Sequence, residues 1–248
     1  MPHGHCAIHD DRERPAVSVV VPAYREAEHI ARTLQDIVET LHAAHVTSEI
    51  VVVVDLIPGD ETASQIRKVS QSYSEIRVIE REGRRGVGDA IRTGIKRATG
   101  NIVIPVMGDQ SESPSDVVRL AKTAQDCDIV FTDRFRRGRP PGYPVMKYIA
   151  NRCCNFAARL LLRIPYRDTT NAFKAYRRML LNRVDLSSKG FEIFLEMPLK
   201  AMMVPGVRVE EIEVSHTVKR KKAPKLSIAK DGYRYAELLL KLCRRKRA

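Results

Sequence analysis

Tryptophan is absent from the 248 residues and aromatic residues make up only 6%, so the repeated stacking platforms that hold single-stranded nucleic acid are not apparent. The Lys and Arg residues are scattered and form no nucleic-acid motif, so nucleic acid is not expected as a partner. The five cysteines, Cys6, Cys127, Cys153, Cys154 and Cys243, show no CxxC spacing and cannot all pair. That argues against a zinc site or a disulfide framework and suits a reducing cytoplasm. No apolar run approaches the ~20 residues that span a bilayer, so membrane contact is expected to be peripheral, at the inner face. The opening MPHGHCAIHDDRERP is polar, lacks a hydrophobic core, and is not read as a signal peptide. Its two histidines near Cys6 are read as part of a mobile tail. No Ser-His-Asp or Cys-His pattern stands out, and there is no internal repeat.

What is abundant is positive charge: 43 Lys and Arg against 30 Asp and Glu give +13. Such an excess favours partners that carry phosphate, whether a nucleotide, a nucleic acid or an anionic membrane surface. A hydrophobic content of 44% suits one sizeable core. The expected organisation is a flexible tail over residues 1–15, one domain over 16–226, and a basic amphipathic helix over 227–248.

AVSVVVPAY, EIVVVVD, EIRVIE, NIVIPVM and CDIVFTDRF are short runs, mostly β-branched and apolar, separated by segments with helical spacing. Alternation of this kind predicts an α/β fold, a mostly parallel sheet flanked by helices, with ligands at the carboxyl ends of the strands. Asp55, the Gly86/Gly88 loop, Asp109 and Arg134 all fall at such ends. Beyond them come the Pro/Gly-rich loop RRGRPPGY, a helical run over residues 145–162, the edge-strand pattern VRVEEIEVSH, and a basic loop KRKKAPK.

The stretch VMGDQSESPSD places Asp109, Glu112 and Asp116 together at a strand end. They either contribute to a metal and phosphate site or sit in the first turn of the next helix, favoured by its dipole. Asp55 is likewise a ligand residue or a strand-end cap, and Asp89 a ligand residue or a helix N-terminal acid.

VSVVVPAYREAEHI, EIVVVVD, RRGVGDAIRTGIKRATGNIVIPVMGD, DIVFTDRF, NRCCNFAARLLLRIPYRDTTNAFKAYRR and GFEIFLEMPLKA occur in family order over residues 17–226. Together they resemble the family 2 glycosyltransferases of the Rossmann-like GT-A fold, within them the dolichol-phosphate mannosyltransferase-like branch. The resemblance implies transfer of a sugar, with inversion, from a nucleoside diphosphate sugar to a polyprenyl phosphate. It places Pro22, Tyr24, Glu26, Asp55, Arg85, Gly86 and Asp89 around the donor. It assigns Asp109, with Glu112, to a divalent cation, Mg²⁺ or Mn²⁺, where Met107 stands at the first acidic position of the family's DxD motif. Arg134, Lys147, Asn151 and Arg152 match the acceptor-phosphate region, and Asp168 and Glu196 match recurrent acids. Arg134 and Asp168 join Asp109 as catalytic candidates, and Phe173 and Tyr176 are expected to pack. Lys219, Arg220 and Lys225 match a loop that closes over the donor. Two other readings stay open: a soluble hydroxyl acceptor, with Asp109, Asp168 or Glu196 as base, and a non-catalytic relative that binds nucleotide or nucleic acid through its charge.

Overall fold

A strand buried on both faces reads as a continuous apolar run, and VSVVVPA does so because β-branched side chains pack well on a pleated surface. The computed structural model, which describes residues 15–83, 85–215 and 228–247, forms β1 there (Val17–Ala23) with all seven residues buried. Beside it lie β2 (Ser48–Leu56) and β3 (Ile76–Glu82) on one flank and β4 (Ile102–Pro105) on the other, all parallel. The intervening helices are α1 (Ile30–Ala43), α2 (Thr62–Ser70) and α3 (Val87–Arg97), and α4 (Pro114–Thr123) leads to β5 (Ile129–Asp133). Then follow α5 (Val145–Leu162), β6 (Ala175–Arg177), α6 (Arg178–Asn182), α7 (Ile193–Ala201), β7 (Val209–Glu213) and α8 (Ile228–Arg247). The seven strands order as β3-β2-β1-β4-β6-β5-β7.

Alternate residues of the central strands face opposite layers. Val19, Val21, Val52 and Val54 join the core beneath α1, α2 and α4, while Val20, Val51 and Val53 join the core beneath α3 and α7. The expected mostly parallel sheet, flanked by helices, is therefore present. One strand departs from the pattern: β6 runs antiparallel between β4 and β5. Three residues are too few to show a period, so AYR carried no strand signal. Its direction matters for the site, because the residues that enter it, 168–174, must arrive at the edge where β4 and β5 end.

A third apolar cluster joins α5, α7 and α8 through Ala158, Leu162, Leu195, Leu199, Leu238, Leu239 and Leu242. The leucine face of the C-terminal helix is thus used inward. The N-terminal tail through residue 14 lies outside the described residues.

Gly94 sits in the interior of α3 with its Cα against Val20, and an added Cβ would collide with the Val20 Cγ1. In an exposed helix Gly→Ala stabilises by up to ~1 kcal/mol. Here overpacking reverses the sign: Gly94→Ala is expected to cost about 1–3 kcal/mol, read as a lower denaturation midpoint. Equal or higher stability of the variant would show that α3 does not approach β1 this closely.

Candidate active site

Beyond β4 the chain turns sharply, with Gln110 in the left-handed region at φ 58°. Gly108 there packs against Ile30 and Glu26, and its carbonyl accepts the Thr33 hydroxyl at 3.2 Å. Glu26 is itself buried, with its N–H on Thr62 Oγ1 at 2.8 Å. Asp109 is thereby held at the strand end, its Oδ1 accepting the Ser111 N–H at 3.2 Å.

Glu112 folds back over this turn. Its Oε2 accepts the Ser111 hydroxyl at 2.9 Å and the Met107 N–H at 3.3 Å. The carboxyl absent from the Met107 side chain is thus brought to the Met107 backbone from five residues away. Burial, and then the Asp109 charge, push the Glu112 carboxyl up to about 8. Two carboxylates and a hydroxyl are hard oxygen donors that fit Mg²⁺ or Mn²⁺, with further positions left for phosphate oxygens and water. Among the described residues no cluster of three His, Cys, Asp or Glu side chains is arranged for a metal. Asp116 takes no part: it is buried in the first turn of α4, 2.6 Å from Arg119, and accepts the Ser215 N–H at 3.1 Å.

Across the edge, Arg134 leaves β5 and grips Asp168 with Nε at 2.8 Å and Nη2 at 3.0 Å. Asp168 is fully buried. Burial alone would raise its pKa, but the Arg134 charge and hydrogen bonds, with Lys174 and Arg152 beyond, hold it below the usual carboxylate range. Lys174, which the sequence reading did not name, is also fully buried and donates to the carbonyls of Thr169, at 3.1 Å, and Asn171. Burial pulls its ammonium down to about 7. A lysine between Phe173 and Ala175 was the available signal, since a charge in a buried run needs a partner.

The loop 168–171 is tied to α5. Asn155 Oδ1 accepts the N–H and the hydroxyl of Thr169, both at 2.6 Å, and Asn151 Nδ2 donates to Thr170 Oγ1 at 2.5 Å. Arg134, Lys147 and Asn151 line one cavity. Arg152 turns elsewhere, donating to the Arg167 carbonyl at 2.7 Å and lying 4.9 Å from the Phe135 ring centroid.

At the far end of the sheet Asp55 is buried and accepts from Arg81 at 2.9 and 2.5 Å and from the Arg85 N–H at 3.1 Å. Arg81 continues to Asp89 at 2.9 Å, and Asp89 to Arg92 at 2.8 Å. The sequence reading missed Arg81, although an arginine inside EIRVIERE opposite Asp55 in the β2–β3 register is a visible pairing. The Arg85 side chain is on the exposed surface. Pro22 pairs with Val53 in the sheet, and Tyr24 lies just beyond β1 with Arg25 over its ring.

Gly86 and Gly88 were expected to let the backbone pass close to a ligand. What they approach is the chain itself: a Cβ at either would collide with the backbone of residues 188–190, and the Gly88 N–H donates to the Lys189 carbonyl at 2.9 Å. Glu196 anchors that segment, accepting the Ser188 N–H at 2.8 Å and pairing with Lys200 at 2.5 Å. Phe173 and Tyr176 are buried packing residues. Lys219, Arg220 and Lys225 lie outside the described residues.

A doubly flanked, mostly parallel sheet with an acidic turn after β4 and a cationic pocket after β5 is the architecture of the GT-A fold. The profile of Glycosyl transferase family 2 matches residues 18–185, and the chain belongs to that family. It is 27% identical over 197 residues to the dolichol-phosphate mannosyltransferase of Pyrococcus furiosus, covering 78% of this chain and 55% of that one. It is 25% identical over 217 residues to the polyprenol monophosphomannose synthase of Mycolicibacterium smegmatis, covering 84% and 80%. The chain therefore spans about half the length of the first relative and most of the second. Among solved structures, glucosyl-3-phosphoglycerate synthase from Mycobacterium tuberculosis in complex with Mn²⁺, UDP and phosphoglyceric acid superposes with a TM-score of 0.70 at 17% identity, over 92% of this chain and 78% of that one. Its Mg²⁺ and UDP complex gives 0.69 at 18%, covering 92% and 79%. At such identities the likeness concerns the fold.

The Glu112 carboxyl has a testable consequence. With its pKa raised from 4.5 to about 8 in the folded ligand-free protein, it keeps a proton that the unfolded chain releases, so its contribution to stability falls as pH rises between those values. Glu112→Gln removes that slope. The variant is expected to melt higher than wild type at pH 8 by on the order of 10 °C, with the gap closing toward pH 5. It is also expected to gain less from Mn²⁺ plus a nucleoside diphosphate. Parallel melting curves at the two pH values, with and without those ligands, check both parts.

Proposed function

We propose that this family 2 glycosyltransferase is an inverting enzyme that moves a sugar from a nucleoside diphosphate sugar to a polyprenyl phosphate. The observation that carries the reading is the position of Arg134, Lys147 and Asn151 at a cavity whose remaining walls are largely apolar, beside the Asp109 and Glu112 turn. The names of the relatives, dolichol-phosphate mannosyltransferase, polyprenol monophosphomannose synthase and undecaprenyl-phosphate mannosyltransferase, support the same acceptor class.

In this scheme Asp55, Arg81 and Asp89 form the donor end, and Asp109, Glu112 and Ser111 hold a divalent cation near the diphosphate. That cation would supply positive charge to the leaving diphosphate. Arg134, kept in place by Asp168, orients the acceptor phosphate, and Lys147 adds charge at the same cavity. A phosphate oxygen is already anionic at neutral pH, so the attack on the anomeric carbon needs no strong general base. The engagement of Asp168 with Arg134, and of Glu196 with Lys200 and Ser188, supports this, because neither acid is disposed to take a proton from a hydroxyl. The test is a transfer assay with GDP-mannose and UDP-sugars, polyprenyl phosphate and Mg²⁺ or Mn²⁺. Asp109→Ala is expected to lower the rate by about 100-fold or more while far-UV dichroism is retained. Failure of wild type to glycosylate the lipid phosphate with any donor would sink the proposal.

Peripheral membrane contact belongs to the same reading. Ile149, Cys153, Phe156 and Leu160 follow one another on α5 at helical steps and are all exposed, as are Val145, Met146 and Leu161 nearby. Arg159 and Arg163 lie exposed beside them. Among the described residues no helix is long and apolar enough to cross a membrane. An exposed apolar stripe edged by arginine matches an anionic bilayer surface. In sedimentation with phosphatidylglycerol vesicles, Phe156→Asp is expected to weaken binding by about tenfold, and pure phosphatidylcholine should bind less than the anionic lipid. Wild-type protein that stays in the supernatant with both lipids would remove this part of the proposal.

A further inference from the structure

The stretch NAFKAYRR carries a lysine into the interior. Phe173 and Ala175 join the core beneath α1, α2 and α4, so Lys174 between them faces the other layer. Its Nζ lies 5.3 Å from the centroid of the Phe131 ring, which is itself stacked on Tyr166 at 4.4 Å. The carbon stem therefore runs through apolar surroundings and delivers the ammonium to the 168–171 loop. Lys174 has no exposed surface, and lysine is almost never fully buried without partners. Methionine is close to it in length and volume, so packing at this position does not call for a charge.

The ammonium donates to the carbonyls of Thr169, at 3.1 Å, and Asn171, which flank Thr170 in the turn that leaves Asp168. From the opposite side the same turn is held by α5, through Asn155 on Thr169 and Asn151 on Thr170. The turn is thus clamped from without and from within, and the inner clamp is closed off from any ligand. The charged groups around Lys174 are Asp168, Arg134 and Glu211 of β7, with Arg152 of α5 on the far side of Asp168. Asp168 and Arg134 offset one another, so the lysine proton decides whether a further positive charge stands behind Arg134. Burial brings that ammonium down to about 7, and both of its states are populated near neutral pH. An anion at Arg134 favours the protonated state by charge attraction. By reciprocity, the protonated state binds the anion more tightly.

We infer that Lys174 is a positioning residue for the acceptor: from inside the fold it holds the carbonyls of Thr169 and Asn171, which keeps Asp168 against Arg134, and it takes up a proton when a phosphate binds there. This role rests on the polyprenyl-phosphate reading given above, and adds to it a residue that touches no substrate and a proton that accompanies binding. The proton comes from solvent. A phosphate monoester is largely a dianion above pH 7, whereas the phosphodiester formed by transfer carries a single charge. The pull on the lysine proton therefore falls as transfer completes, and the proton returns to solvent as the product leaves.

The test is calorimetry of the full chain with a short prenyl monophosphate at pH 8, in buffers of low and high ionisation enthalpy, whose difference counts the protons taken up. Glu112 also changes charge near this pH, so the parent protein and the variant both carry Glu112→Gln. The parent is expected to take up a fraction of a proton on binding. With Lys174→Met added, uptake is expected to vanish and affinity to fall about tenfold. In transfer assays on the otherwise wild-type chain, Lys174→Met is expected to raise KM for the prenyl phosphate about tenfold and to leave KM for the nucleotide sugar within about twofold. Equal proton uptake with and without Lys174 overturns the inference while the acceptor class stands. So does a parent protein that binds the prenyl phosphate without proton uptake, a result that depends on no change at Lys174. If wild type neither binds nor glycosylates a prenyl phosphate, the acceptor class falls and the role of Lys174 with it.

Discussion

The ion pair of Arg134 with Asp168 holds together the edge of the sheet where β5 ends and β6 begins. A fully buried carboxylate is tolerable only when its partner and hydrogen bonds are in good order, and here both guanidinium contacts run in parallel at 2.8 and 3.0 Å. The pair joins the end of β5 to the loop 168–171, and that loop is bonded in turn to Asn151 and Asn155 of α5. Thr132 secures the same entry to β6, its hydroxyl donating to the Phe173 carbonyl and accepting from Asn171 Nδ2 at 2.6 Å. Lys174 adds a second buried cation whose two carbonyl acceptors lie in the same loop. Arg134 thus carries most of the charge beside that carboxylate, while burial brings the Lys174 ammonium down to about 7 and turns it to the loop backbone.

The turn after β4 presents the opposite problem. Asp109 and Glu112 bring two acids together, and burial first, then the Asp109 charge, push the Glu112 carboxyl up to about 8 in the ligand-free protein. The loss of an acid at Met107 is offset by geometry, since Glu112 reaches the very backbone N–H of that residue. Asp55 and Asp89 meet no such conflict because Arg81 stands between them. The sheet edge at β2 and β3 and the central strand β4 therefore differ in electrostatic character: the acids of the first are neutralised by Arg81, while the turn after β4 sets two acids near each other.

Much of the frame was legible in the residues because it depends on continuous patterns. Strands β1, β2, β4 and β5 are mostly apolar runs that stand out, and the 145–162 helix carries its period over several turns. The roles of single side chains were less legible, since they depend on partners distant in sequence. Gly86 and Gly88 looked like a ligand-facing turn, yet what demands glycine is the backbone of residues 188–190. Asp116 shared its neighbourhood with Asp109 in sequence but is turned inward by one step of helix to Arg119 and Ser215. Lys174 and Arg81 were passed over because a charge inside a strand-like run reveals its purpose only when the opposing residue is known.

Helix α5 shows how one element serves several surfaces. Successive residues on a helix are turned by about 100°, so stripes that begin at Ile149, Ala150 and Asn151 cover three adjoining faces. The first is exposed and apolar through Cys153, Phe156 and Leu160. The second lines the cavity of Arg134 and Lys147 through Cys154 and Ala157. The third, through Asn155, Ala158 and Leu162, is buried, its polar start bonded to the 168–171 loop and its apolar end in the leucine cluster. Each stripe constrains its neighbours, because a rotation that buried the exposed stripe would break the bonds to Thr169 and Thr170 and close the cavity. The exposed apolar stripe is thus a consequence of holding Asn151 and Asn155 against the 168–171 loop, and the bonds that orient Asn151 keep Phe156 in solvent.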